Sequence, residues 1–172
     1  MSKTELKKHL QSLTKEQMIG QVLELYDNCK PAKEYFEYLL NPNEKEQFEK
    51  YNTIIVNEFS PKGLRFNPAL RFSVAKKAIF DFRSLRPSLE LLADLMVTLP
   101  ETACKFTSEY GDMTEQFYTS TANNYELALK FLKKNNLLDN FKLRCQDCVK
   151  YAEPCGYGFA DEIDQLFQEY YG

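Results

Sequence analysis

Residues 112–134, DMTEQFYTSTANNYELALKFLKK, place Phe117, Thr121, Tyr125, Ala128 and Leu132 three or four positions apart. That spacing lines one face of a helix, whereas a half-buried strand would alternate every second residue. Asp112-x-x-Glu115 reads as the start signal, and the stretch is read as the longest helix of the chain. Working toward the C-terminus, two more helices are expected, at about 137–153 and 160–171, the second carrying Ile163, Leu166, Phe167 and Tyr170.

Working toward the N-terminus, Gly111 is placed to end a helix in a left-handed cap, and Pro100 to start that helix. The run after Pro87 (Leu89, Leu91, Leu92, Leu95, Met96, Leu99) is apolar over a broad arc, so its helix belongs in the middle of a domain. Ser73 is expected to cap a helix bearing Val74, Ala78, Ile79 and Phe82. Ser60-Pro61-Lys62-Gly63 and Asn67-Pro68 mark residues 60–72 as the longest non-helical stretch. Before it, Phe48, Tyr51, Ile55 and Phe59 form one stripe and Tyr35, Phe36, Leu39 and Leu40 another, with Pro31 suited to a first helical turn. Ser2-x-x-Glu5 and Thr14-x-x-Gln17 are both capping-box patterns.

The fold expected is therefore all-α, a bundle or irregular stack of about nine or ten helices. No repeated period points to a regular solenoid. The 172 residues fit one domain, 1–172, with a looser N-terminal lobe 1–59, the break 60–72 and a larger lobe 73–172. No apolar run approaches the ~20 residues of a bilayer span, and no basic region precedes an apolar one. The polar start and five scattered cysteines fit a reducing, cytoplasmic setting.

Chemistry is sparse. The chain has one His and no Trp, and no nucleophile or phosphate motif is recognisable, so no catalytic residue, metal or cofactor is assigned. Cys145-Gln146-Asp147-Cys148 followed by Cys155 has the look of a zinc knuckle. Phe141, Cys145, Cys148, Val149 and Ala152 nevertheless share one helical face, which fits buried thiols acting as small hydrophobes. His9 reads as a solvated helix residue. Glu109, Asp112 and Glu115 cluster at a helix junction, where acids are favourable for electrostatic reasons alone.

The charge distribution carries the most suggestive signal. Lys62, Arg65, Arg71, Lys76, Lys77, Arg83 and Arg86 face one acid, Asp81, so the segment is net +6 in a chain of net -3, leaving -9 elsewhere. Phe66, Phe72, Phe80 and Phe82 interleave with the cations, a pattern suited to a phosphate backbone. Pairing with neighbouring acidic helices, or with an acidic protein partner, would use the same residues. Near the C-terminus, Gly156-Tyr157-Gly158-Phe159 follows Cys155 and could flank a ligand or form a tight turn whose rings seal the core.

The opening SKTELKKHLQSLTKEQMIGQVLELYDNCKPAKEYF, the SPKG break with its basic residues, FTSEYGDMTEQFY and the closing GYGFADEIDQLFQEYY resemble an uncharacterised family of helical bacterial proteins, a domain of unknown function. The resemblance spans essentially the whole chain. It implies a bacterial cytoplasmic protein of one helical domain and brings no activity or site residue. The expected function is a helical binding module, with a protein as its partner. Nucleic-acid or polyanion binding through residues 62–86 is the alternative, and an enzyme built on the acidic junction and glycine loop is the third. Oligomeric state is not legible.

Overall fold

The computed structural model describes residues 2–60 and 68–172, which hold nine α-helices and no strand. The all-α expectation is met. The chain forms two compact units, Met1–Asn43 and Glu44–Gly172. Their boundary lies ahead of residues 44–59, which the sequence places with the N-terminal lobe.

The first unit holds α1 (Lys3–Ser12), α2 (Lys15–Asn28) and α3 (Lys30–Leu40). Both expected capping boxes form. Ser2 accepts from the Glu5 amide at 3.2 Å, and Thr14 accepts from the Gln17 amide at 3.2 Å while its own amide donates to Gln17 Oε1 at 2.9 Å. Each box satisfies two amides that a helix start leaves orphaned. Pro31 lies in the first turn of α3. Tyr26 donates to Glu37 at 3.2 Å, and Lys33 lies over the Tyr26 ring.

The second unit holds α4 (Glu44–Phe59), α5 (Phe72–Ser84), α6 (Leu89–Tyr110), α7 (Glu115–Lys134), α8 (Leu138–Ala152) and α9 (Phe159–Tyr171). Helix α6 is central and packs against α4, α5, α7 and α8, with α9 laid on α7 and α8. Its buried residues include Leu92, Leu95, Leu99, Ala103 and Phe106, as its broad apolar arc requires.

Three local expectations are corrected. Pro100 starts no helix but lies buried within α6, which at 22 residues is longer than the 20-residue α7. An interior Pro costs about 3 kcal/mol through a lost hydrogen bond and a ring clash. Burying a single large apolar side chain contributes about 1.5–3 kcal/mol, and α6 buries several on each side of Pro100. Ser73 is not the cap of α5. Arg71 occupies that position, and Ser73 falls inside the first turn. At α7 the capping side chain belongs to Thr114, which accepts from the Phe117 amide at 3.3 Å, leaving Asp112 for a different role. Gly111 does close α6, at φ +93°.

An ion cluster unmarked in the sequence clamps α8 to α6. Arg144 Nε donates to Glu101 Oε2 at 2.9 Å and Nη2 to Thr98 Oγ1 at 3.0 Å, while Nη1 pairs with Asp94. Burial opposes the guanidinium charge, but the hydrogen bonds and charges of Glu101 and Asp94 outweigh it and raise the pKa further.

Candidate functional site

The basic segment is partly consumed inside the fold. Arg71 embraces Glu58 with both arms, Nε to Oε2 at 2.9 Å and Nη2 to Oε1 at 2.8 Å. Glu58 is buried on α4, so this bidentate pair keeps a carboxylate from being stranded in the core. Lys77 pairs with Asp81 one turn later. Arg83 lies over the Phe131 ring, 5.8 Å from its centroid. Lys76 and Arg86 are exposed and form no ion pair among the described residues. Lys62, Arg65 and Phe66 lie outside the described residues.

The interleaved rings divide. Phe82 is fully buried against Tyr51 and Phe48 of α4, whereas Phe80 is 69% exposed. Phe72 stacks edge-on against Phe59 and Phe117.

The glycine loop is a seal at one end and open at the other. Phe159 is buried and stacks on Tyr118 at 4.4 Å, but Tyr157 is 79% exposed, its backbone at φ +57°. The loop is held by the acidic junction. Asp112 Oδ1 accepts from the Gly156 amide at 2.9 Å and from the Tyr118 hydroxyl at 2.8 Å. A Cβ on Gly156 would come within 3.3 Å of the Asp112 carboxylate, a tight contact that the carboxylate would have to relieve by shifting a few tenths of an ångström. Glu109 lies away from this tether, in an i,i+4 pair with Lys105, and Glu115 sits in the first turn of α7.

The cysteines of the CxxC pattern are core residues. Cys145 and Cys148 are fully buried on α8 with Phe141 and Ala152. Burial pushes the Cys145 thiol up to about 11. The Cys148 thiol is raised by its hydrogen bond with Cys104 and by burial. Both therefore stay protonated near neutrality and pack as small hydrophobes. Among the described residues no His, Cys, Asp and Glu side chains group to hold a metal ion. His9 is exposed, 3.3 Å from Gln21.

What the basic segment does build is a groove. Helices α5 and α7 both pack on α6, and between them lies a cavity of about 190 Å³ walled by Ile79, Phe80 and Leu127 and floored by Met96. Lys76 and Arg83 stand along it, and no carboxylate lines it. Leu127, like Phe80, is more than half exposed. Lys76 also borders a second hollow of about 450 Å³ toward the start of α5, among Leu70, Phe72, Met113 and Phe117. Thr114, Gln116 and Ser120 also line that second hollow, so the apolar trough with cationic edges is the first one, between α5 and α7.

Over residues 1–169 the sequence matches a family of unknown function, DUF6155. The chain belongs to that family. No curated protein and no solved structure matches it. In this DUF6155 member the residues that build the trough come from three helices. Of them, Lys76 and Arg83 stand out in the sequence by charge, whereas Met96, Asn124 and Leu127 carry no linear signal. Asn124 is itself nearly buried, donating to the Ser120 carbonyl at 2.6 Å.

The Asp112 tether has a pH signature. The bonds from Gly156 and Tyr118 hold its carboxyl below the ordinary carboxylate pKa. A group depressed in the folded state stabilises above its unfolded pKa, near 4, and that contribution is lost as pH falls through the folded value. Hydrogen-exchange protection of the Gly156 amide is thus expected to be constant from neutrality down to about pH 4 and to fall below it. Asp112→Asn should abolish that acid step. Protection unaffected by the substitution would show that Asp112 does not hold the loop.

Proposed function

We propose that this DUF6155 protein is a helical interaction module that receives an acidic amphipathic helix of a protein partner in the trough between α5 and α7. Support rests above all on Phe80, a large apolar side chain 69% exposed beside Leu127, with Lys76 and Arg83 along the edges. Helix-in-groove recognition lays the apolar face of an amphipathic helix into a hydrophobic groove, and a large ring that such docking desolvates can carry much of the binding energy. Cations and no lining carboxylate select a partner with Glu or Asp flanking its apolar stripe. The α5 positions that line the groove, 76 to 83, span about 10 Å, the length of roughly two turns of a docked helix. A cytoplasmic setting belongs to the same proposal, supported by five free thiols of the kind a reducing compartment maintains.

Nucleic acid is the second candidate for this face. A phosphate backbone is held by several unengaged cations, whereas Arg71 is committed to Glu58 and Lys77 to Asp81. Fluorescence anisotropy separates the two. The probes are a set of labelled helical peptides with apolar anchors and glutamate flanks, the same set with lysine flanks, and a single-stranded oligonucleotide. Glutamate-flanked peptides should bind, and Phe80→Ala and Lys76→Glu should each raise Kd at least about tenfold. Oligonucleotide binding with a steep salt dependence, or peptide binding indifferent to both substitutions, would overturn the proposal.

A further inference from the structure

The first unit has apolar side chains but almost no interior. Among its described residues Tyr38 is the only buried one, and α1 and α2 bury none. Segments this short usually need a staple or a partner to stay ordered, and this one has neither a metal cluster nor a disulfide among its described residues. Leu6 and Leu10 of α1, Leu13 just after it and Met18 of α2 line a cavity of about 330 Å³ edged by Lys3 and Lys7. On α2, Ile19 and Leu23 are 49% and 57% exposed and form a ridge. Positions 16, 19, 23 and 27 are spaced three or four residues apart, so Glu16 and Asp27 flank the ridge on the same side of the helix. The unit thus offers a groove with basic residues, walled mostly by α1, and a ridge on α2 flanked by acidic ones. The features are complementary, and each copy of the chain carries both.

We infer that the α1–α2 face is a self-association surface, on which the α2 ridge of one chain enters the α1 groove of a second copy and the reverse contact forms by two-fold symmetry. Such an isologous arrangement uses every complementary feature twice. It covers Leu6, Ile19 and Leu23 together and sets Lys3 and Lys7 against Glu16 and Asp27. Repulsion between like edges disfavours the parallel alternative, groove on groove.

Sedimentation equilibrium of the full chain over a range of concentrations tests this. A monomer–dimer equilibrium is expected. Leu23→Asp should weaken it at least tenfold, and so should either Lys3→Glu with Lys7→Glu or Glu16→Lys with Asp27→Lys. Combining the two charge reversals in one chain should restore the dimer to within a few-fold of the original Kd. All five positions are exposed, so the larger unit should keep its circular dichroism and melting behaviour, which checks against simple misfolding. A chain monomeric at every concentration would overturn the inference. So would a dimer indifferent to Leu23→Asp, or one that the combined reversal fails to restore.

Discussion

Phe82→Ala is expected to lower the unfolding free energy by about 3–5 kcal/mol, while Phe80→Ala, two residues away on α5, should change it by less than about 0.5 kcal/mol. The contrast follows from where the helix turns each ring. Phe82 is fully buried, its ring 5.6 Å from Tyr51 and 6.3 Å from Phe48, so it holds α5 against α4. Truncation there removes the transfer free energy of a phenyl ring and leaves a cavity that the neighbouring rings can only partly fill. Phe80 is mostly in solvent and loses little when shortened. Denaturant titration reads both, as a lower midpoint at unchanged slope for Phe82→Ala. Equal effects at the two positions would mean that the packing of α5 is wrongly assigned. A stable Phe80→Ala protein is also the form needed for the peptide-binding test, because any loss of affinity then belongs to the groove.

Arg144→Ala carries the second large effect, a destabilisation of about 2 kcal/mol, between the 3–5 of a buried pair and the 0–1 of a surface one. The intermediate figure reflects exposure, since the Arg144 side chain is 30% accessible and that of Glu101 22%. Removing the guanidinium strands two carboxylates, Asp94 and Glu101, on the same face of α6, and leaves Thr98 Oγ1 without its donor. Arg144→Lys should recover less than half of the loss, because an ammonium is a point charge and cannot span three acceptors as a planar fork does. Adding Glu101→Gln to Arg144→Ala should cost less than the two single changes summed, since the partners are coupled. Strict additivity in that cycle would show that the cluster is ornamental. High salt should reduce the wild-type advantage only slightly, because screening acts mainly on solvent-exposed charges.

Helix existence was legible at nearly every position because it depends on local rules. The capping boxes at Ser2 and Thr14, the cap at Gly111 and the stripe from Phe117 to Leu132 all act within one or two turns. Errors arose where a local signal was overruled by packing. Pro100 has the chemistry of a helix start, yet α6 runs through it because its flanks are buried on both sides. Asp112 has the position of a cap, yet its carboxylate serves the Gly156 amide, 44 residues away. The cysteine pattern shows the opposite case, since the period that placed Cys145 and Cys148 on one face matches their burial.

The candidate groove was half legible. Excess charge in residues 62–86 is a property of composition, and the sequence displays it directly. Which cations stay free depends on which helix lies opposite, so the partnership of Arg71 with Glu58 and the openness of Lys76 emerge only on folding. Leu127 and Met96 look like any other apolar helix residues until α5 and α7 stand apart over α6.

Legible from the residues alone were the all-helical class, most helix starts and the inward stripes of the second unit, since these follow from backbone chemistry and a 3.6-residue period, whereas Leu39 and Leu40 of α3 stand exposed. Tertiary structure decided the central place of α6, the burial of Phe82 rather than Phe80, the Arg144 clamp and the trough between α5 and α7. The physical reason is range. Capping and periodicity act over a few residues, whereas burial and charge pairing depend on groups that meet only when helices distant in the chain are packed together.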